Sequence, residues 1–154
     1  MIASLMMYQR SELNDAHNRY WQLIRTHLHE AGIESPEFLS QSAEEFFVWE
    51  HPHLVLSQTC GMPYRTRLHD KVDLVGTPDF GVHVCPPGYY RSALIVRKKE
   101  HRSDIAEFEK SIFAFNQTIS QSGYAAPYWH VHPLGFWFEN RLNTEQHLES
   151  ARAV

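Results

Sequence analysis

The chain has 154 residues, a formal net charge of −4, 43% apolar residues and 21% charged residues. This composition suits one packed domain or two small lobes and argues against global disorder. It contains no basic tail or stripe, so nucleic acid is a poor candidate partner. No apolar run approaches a membrane span, and the apolar start at 1–7 lacks the flanks of a signal peptide. The sequence allows two locations: the cytoplasm, or an exported location if the chain is a mature fragment of an exported protein.

The first half of the chain predicts alternating strands and helices. Ile2 to Met7 is a short apolar run typical of a strand, and Ser11 is a favourable N-cap for the next helix. Apolar residues then recur at three- and four-residue steps until Gly32, which indicates one helix face. The later elements expected here are a short helix opened by a capping box at Ser42–Glu45, a strand at Leu54–Leu56, a helix over 61–69 and a strand at Val72–Val75.

The second half begins with a glycine- and proline-rich connection over 77–88. Tyr89–Arg97 follows as the longest strand candidate, and we expect it to cross between two lobes. The remaining elements expected are a helix capped by Ser103, a strand at Ile112–Phe115, a helix from Ser120 that Pro127 shortens, a strand at Phe136–Phe138 and a last helix through Leu148. This order predicts an α/β fold with a mostly parallel sheet. No return strand follows the last helix, so the second lobe is expected to be incomplete.

Two hydroxyl-rich turns, each placed after an apolar strand, are candidate anion sites. They are Ser120-Gln121-Ser122-Gly123 and a weaker echo, Ser57-Gln58-Thr59-Cys60-Gly61. The first N–H groups of a helix lack intrahelical partners and carry partial positive charge, so such a turn can hold an anion. Tyr8 ends a predicted strand, and its hydroxyl is expected to join the site. The plain alternative is that each turn only caps its helix.

Catalytic and metal chemistry receive weaker support from the sequence. Three His-x-His pairs occur, but an i, i+2 pair on a helix faces two directions and no third ligand has a firm spacing. Cys60 at a helix start is a candidate nucleophile. No nucleophile elbow or phosphate-loop glycine motif occurs. Whether Cys60 and Cys85 form a disulfide or stay reduced depends on the compartment, and both alternatives stay open.

Four segments taken together resemble the phosphate/phosphite/phosphonate substrate-binding proteins of ABC transporters. The segments are Leu54-Val55-Leu56-Ser57-Gln58-Thr59-Cys60-Gly61-Met62-Pro63-Tyr64, Val75-Gly76-Thr77-Pro78, Cys85-Pro86-Pro87-Gly88-Tyr89-Tyr90-Arg91-Ser92, and Phe113-Ala114-Phe115-Asn116 with Ser120-Gln121-Ser122-Gly123. The resemblance covers nearly the whole chain. It implies a type 2 periplasmic-binding-protein fold, with α/β lobes at 1–88 and 99–154 joined by a hinge strand at 89–98.

The resemblance also implies a binding function without chemistry of its own. A small oxyanion of the phosphonate or phosphate kind would bind between the lobes, with no cofactor and no metal, and a periplasmic location and an ABC permease partner are implied. The implied ligand-binding residues are Ser120, Gln121, Ser122 and Gly123 in the turn, His147 at a later helix start, Ser57 and Thr59 in the echo turn, and the tyrosines Tyr8 and Tyr90.

The chain departs from the family pattern in two ways. Gln121 replaces the central hydroxyl of the usual Ser-Thr-Ser turn, and the second lobe is shorter than in the family. A missing return strand would leave a sheet edge open, and an open edge predicts a homodimer formed by strand pairing or exchange. Two alternative functions therefore remain: a small enzyme that uses Cys60 or a histidine, and a dimerising half-domain that binds nothing.

Overall fold

A computed structural model describes residues 1–154 as a mixed α/β protein with two sheets, each made of two parallel strands. The chain forms two compact units. Unit 1 comprises Met1–Cys60 and Tyr64–Val72, and unit 2 comprises Gly61–Pro63 and Asp73–Val154. The α/β class agrees with the sequence-based expectation, whereas the lobe boundaries and the hinge role of 89–98 stay predictions. No helix combines the length and apolar character needed to cross a membrane.

Unit 1 is built on strands β1 (Ile2–Ser4) and β2 (Leu54–Ser57), which pair in parallel with Ser4 opposite Ser57. The long helix α1 (Asn14–Glu30) begins after a 3-10 turn at Ser11–Leu13 and is followed by Gly32, whose positive φ ends it as predicted. A short helix α2 (Glu45–Trp49) precedes β2.

Two apolar clusters fill the core of unit 1. One joins Ala3, Leu5, Trp21 and Leu39, and the other joins Val48, Trp49 and Leu68. The helical segment predicted over 61–69 is present as α3 (Gly61–Pro63), followed by a π-helical turn at Tyr64–Leu68. The apolar period along α1 matches burial only in part, because Trp21, Ile24 and Leu28 pack in the core whereas Tyr20 and Leu23 are exposed.

Four local predictions for the first half are wrong. Ser11 does not cap α1, because it lies inside the preceding 3-10 turn and its hydroxyl donates to Glu12 Oε2. The first strand ends at Ser4, and Met6–Tyr8 forms a 3-10 turn. The Ser42 hydroxyl accepts from the N–H of Glu44 and so makes a local turn instead of a capping box. The segment Val72–Val75 forms no strand, and Val75 is 85% exposed, since no partner strand lies beside it.

Unit 2 is built on strands β3 (Ile112–Phe115) and β4 (Asn140–Asn143), paired in parallel from Ile112 opposite Asn140 to Phe115 opposite Asn143. A π-helical turn at Gln121–Ala125 leads into α4 (Ala126–Val131), and α5 (His147–Arg152) follows β4. Pro127 lies in the first turn of α4, where its missing N–H costs little. Stacked and edge-on rings of Phe113, Trp137 and Phe138 fill the interior.

Two strand predictions for unit 2 are wrong. Residues 89–97 form no strand, although the apolar run Leu94, Ile95 and Val96 is present, and these side chains are exposed. Phe136–Phe138 is irregular as well, because Gly135 turns the chain at φ +86° and the rings pack inward against β3. The paired strand comes just after them, in the exposed and mostly polar β4, which hydropathy does not reveal.

Each sheet has two strands, so every strand keeps one edge without a ladder partner. An unpaired edge offers backbone N–H and C=O groups to another chain. Homodimerisation through such an edge stays a prediction.

Candidate functional site

The turn after β3 is closed by the hydroxyl of Ser120. The Ser120 side chain is 4% exposed and accepts a hydrogen bond from the N–H of Gly123 at 3.0 Å. Its carbonyl accepts from the N–H groups of Tyr124 at 3.2 Å and Ala125 at 3.0 Å. Ser120 therefore caps the helical segment, as its sequence context predicts.

Gly123 is required at this turn for steric reasons. A Cβ added to Gly123 would lie 2.0 Å from Oδ1 of Asn116, the residue that directly follows β3. Asn116 is 8% exposed, and its Oδ1 has no hydrogen-bond partner. A buried polar atom without a hydrogen-bond partner normally lowers stability. The packing of the fold therefore does not explain why an asparagine stands at position 116.

The start of α5 lies at the same end of the sheet. The Thr144 hydroxyl donates to the carbonyl of Phe115 at 3.0 Å and lies 2.6 Å from the Ser150 hydroxyl. The N–H of Thr144 also donates to the Phe115 carbonyl, at 2.8 Å. These bonds bring the beginning of α5, with His147 as its first residue, to the carboxyl end of β3. Ligands of open α/β sheets bind at such strand ends.

His147 lies on the surface of α5, yet neighbouring protein atoms desolvate its ring enough to lower the pKa of the imidazole below its ordinary value of 6.5. The neutral form is therefore favoured in the folded state. Glu149, in the same first turn of α5, makes an ion pair with Arg152 at 2.7 Å, which offsets part of its negative charge.

The other predicted residues of unit 2 have different surroundings. Ser122 is half-buried, and its carbonyl accepts from the Ser92 hydroxyl at 3.3 Å. The side chain of Gln121 packs in the space that a Cβ on Gly61 would reach, 3.5 Å away. Tyr90 is exposed in the irregular segment 89–97, so the structure gives it a surface position and not a place on a strand.

The echo turn in unit 1 differs from the turn after β3. The Ser57 hydroxyl donates to the carbonyl of the next residue, Gln58, at a long 3.4 Å. The Thr59 hydroxyl and Oε1 of Gln58 are buried without partners, and so is the hydroxyl of Ser4 at the end of β1. Tyr8 is half exposed and ends a 3-10 turn, so the prediction that it ends a strand is wrong.

Sequence reasoning missed Ser4 and Asn116 as candidate site residues and included Gln58 only as a member of the echo turn. Each is a polar residue at or just after the last residue of a paired strand, and this position is the signal that could have identified them. Their side-chain oxygens are buried without partners at the carboxyl ends of the sheets. Both units therefore place unpaired polar groups at the edge where α/β proteins bind ligands.

The thiols and histidines do not form a centre in the structure. Neither Cys60 nor Cys85 is part of a disulfide in the structure. No group of three or more His, Cys, Asp or Glu side chains could hold a metal ion. The rings of His51 and His53 lie 6.0 Å apart, and Nδ1 of His51 accepts from the backbone N–H of His53 at 3.1 Å.

The turn after β3 thus combines a helix start, two serine hydroxyls and a buried amide oxygen, and Thr144 ties the start of α5 to the same strand end. Comparison with known proteins gives no match to a family model, to a curated protein or to a solved structure.

Proposed function

We propose that the protein is the solute-binding component of an ABC-type uptake system, with a type 2 periplasmic-binding-protein fold, and that it binds a small phosphonate- or phosphate-like oxyanion. The observation that carries the proposal is the Ser120-capped turn at the carboxyl end of β3, with the start of α5 tied to the same strand end by Thr144. The segment resemblance described above names the class of ligand.

The electrostatics of the turn favour an anion. The peptide dipoles sum to partial positive charge at the start of the segment from Gln121 to Val131, although the N–H of Gly123 there is already bound by the Ser120 hydroxyl. The half-buried Ser122 hydroxyl can donate a further hydrogen bond, since its hydrogen can rotate toward an acceptor.

Thermal unfolding with methylphosphonate, inorganic phosphate and sulfate tests the proposal. A ligand specific for the folded state raises stability by mass action, by about 2.7 kcal/mol at one hundred times its Kd. We expect a phosphonate or phosphate to raise the melting temperature and Ser122→Ala to weaken that effect, with Kd rising roughly five- to ten-fold for one lost hydrogen bond. Ser103→Ala, an exposed serine of the same unit, is the matched control.

The imidazole of His147 gives a second measurement of the same binding event. Its pKa, followed by NMR, should lie below 6.5 in the free protein and rise when the anion binds, because the anion favours the protonated ring. The sign for stability follows from the lowered pKa: the contribution of His147 is present above pH 6.5 and is lost as pH falls below it. If no anion shifts the melt and Ser122→Ala has no effect, the binding function is excluded.

The enzyme alternative and the binding function predict different results when Cys60 is alkylated or replaced. A catalytic Cys60 would be alkylated by a thiol reagent with loss of activity, whereas a binding protein keeps its ligand response in Cys60→Ala. Cys60 precedes Gly61 at the start of α3, outside the turn after β3 in the chain. We therefore expect Cys60→Ala to leave the anion-induced shift unchanged.

A further inference from the structure

Unit 1 contains a solvent-open cavity of about 160 Å³, with exposed carboxamide side chains at its mouth, that belongs to none of the turns discussed above. It lies where β1 ends and the first turns of α1 begin, and the loop at 39–41 borders it on the other side. Leu5 and Leu39, both buried members of the unit 1 core, contribute its apolar surface. The apolar core of unit 1 therefore forms the base of the cavity.

The walls of the cavity are held in place by backbone-directed hydrogen bonds. The N–H of Ser40 donates to the carbonyl of Ala3 at 2.8 Å, which fixes the loop to β1. Trp21 Nε1 donates to the carbonyl of Pro36 at 3.2 Å, and Gln22 Nε2 donates to that of Glu37 at 2.9 Å. Loop, strand and helix are thus joined at three points, so the cavity is formed before any ligand arrives, which lowers the entropic cost of binding.

Four carboxamides supply most of the polar lining. Asn14 and Asn18 stand one turn apart on α1, and Gln9 and Gln41 face each other with a hydrogen bond from Gln9 Nε2 to Gln41 Oε1 of 2.6 Å. Gln41 Nε2 also donates to the Leu39 carbonyl at 3.3 Å. Each carboxamide offers two donors and one oxygen acceptor and carries no charge.

His17 and Ser40 complete the lining. Apart from the histidine, no lining side chain can ionise, so the surface has no fixed charge to select an anion or a cation. Alternating donors and acceptors above an apolar floor match a molecule whose hydroxyl groups both donate and accept and whose carbon face is apolar.

We propose that this cavity is a binding site for a small uncharged polyol, or for the polyhydroxylated end of a sugar. Its volume corresponds to about five water molecules of ~30 Å³. A four-carbon polyol such as erythritol fits that space. The site is separate from the proposed oxyanion site, and either one can fail without the other.

Side-chain amide NMR of the whole chain tests the proposal with glycerol, erythritol, D-ribose and inorganic phosphate as probes. We expect erythritol or D-ribose to shift the amide signals of Gln9, Asn14, Asn18 and Gln41 in a saturable way. Asn18→Ala should raise the Kd roughly five- to ten-fold, since one hydrogen bond is lost. Asn140→Ala, which removes an exposed asparagine of unit 2, should leave the Kd unchanged.

Three outcomes would overturn the proposal. The first is a linear response without saturation up to about 100 mM polyol, which is the behaviour of a solvent additive and not of a ligand. The second is an unchanged Kd in both Asn18→Ala and Asn14→Ala, provided that each variant keeps the melting temperature of the parent. The third is a larger shift of these amides with phosphate than with any polyol, which would contradict an uncharged ligand.

Discussion

The turns after β2 and after β3 share a sequence pattern but differ in how their polar groups are satisfied. In unit 2, the Ser120 hydroxyl receives the N–H of Gly123 and closes the helix start. In unit 1, Ser57 makes only a long bond to its neighbour, while the Thr59 hydroxyl is buried without a partner. The same residue types thus give a capped turn in one place and an unsatisfied one in the other. The pattern alone does not decide which of the two forms.

The two glycines show the same contrast. A Cβ on Gly123 would lie 2.0 Å from Asn116 Oδ1, whereas a Cβ on Gly61 would lie 3.5 Å from Gln121 Cγ, an ordinary van der Waals distance. Neither glycine has a positive φ, so the difference is one of space and not of backbone conformation. Gly123 is needed because the Asn116 side chain lies where a Cβ would be, whereas the space beside Gly61 would admit a Cβ.

The largest expected difference between the two turns is in the stability lost when the glycine of each turn is replaced by alanine. Gly123→Ala should lower the free energy of unfolding by about 1–3 kcal/mol, because the buried Asn116 side chain must move to admit it. Gly61→Ala should change it by less than about 0.5 kcal/mol, since the space is open. Chemical denaturation of both variants measures the difference.

A double substitution separates the steric cause from other effects of Gly123→Ala. Asn116→Ala removes the atom that the new methyl group would meet, so the combined variant should recover part of the lost stability. Strict additivity of the two single effects would show that Asn116 is not the obstacle, because contacting residues are expected to be coupled.

A smaller difference is expected from the two serines. Ser120→Ala removes a helix cap and should cost about 1 kcal/mol of stability. Ser57→Ala removes only a long local bond, and its effect should stay within about 0.5 kcal/mol. Equal losses for the two variants would mean that the turn after β2 is as dependent on its hydroxyl as the turn after β3.

The turn after β2 is secured instead by groups outside it. Trp49, at the end of α2, donates from Nε1 to the carbonyl of Gln58 at 2.8 Å. The next residue, Glu50, accepts from Arg67 Nε at 2.9 Å and also from Lys71. These hydrogen bonds lower the pKa of Glu50 from 4.5 to about 2, with that of Arg67 as the largest cause and that of Lys71 next.

The smallest of these effects is the acid response of Glu50. Because its pKa is lower in the folded state, its contribution to stability is complete above pH 4.5 and is lost as pH falls from 4.5 to about 2. Glu50→Gln should therefore lower stability at pH 7 by a modest amount, since such surface pairs are screened by solvent. The difference from the parent should vanish near pH 2, as measured by denaturation at several pH values.

Glu109→Gln is the control for this measurement, because it removes an exposed acid of unit 2. A pH dependence that is the same in Glu50→Gln and in the parent between pH 4.5 and 2 would contradict the assigned role of the Arg67 and Lys71 contacts.

Local sequence signals predicted the elements whose partners are near in the chain or whose pattern is periodic. The helix α1, the strands at Leu54–Ser57 and Ile112–Phe115, and the Ser120 cap all follow from spacing, capping or apolar runs. The apolar runs at Val72–Val75 and Tyr89–Arg97 carry the same signal but form no ladder. An apolar run favours burial, and it does not supply the partner strand that hydrogen bonding requires.

The candidate site was predicted in part for the same reason. Ser120 and Gly123 were identified because a cap acts within four residues. Asn116 was missed because its importance lies in its approach to Gly123 and in the absence of a partner for its Oδ1. The strand expected to carry Tyr90 does not form, and its role in ligand binding stays a prediction.

The sequence by itself determined the α/β alternation and the capped turn after β3, because these depend on contacts between residues close in the chain. Only the tertiary structure decided that β3 pairs with the polar β4, that Thr144 brings the start of α5 to Phe115, and that loop 39–41 borders an open, carboxamide-lined cavity beside α1. These features join residues far apart in the chain. Their formation depends on packing and register, which no local pattern encodes.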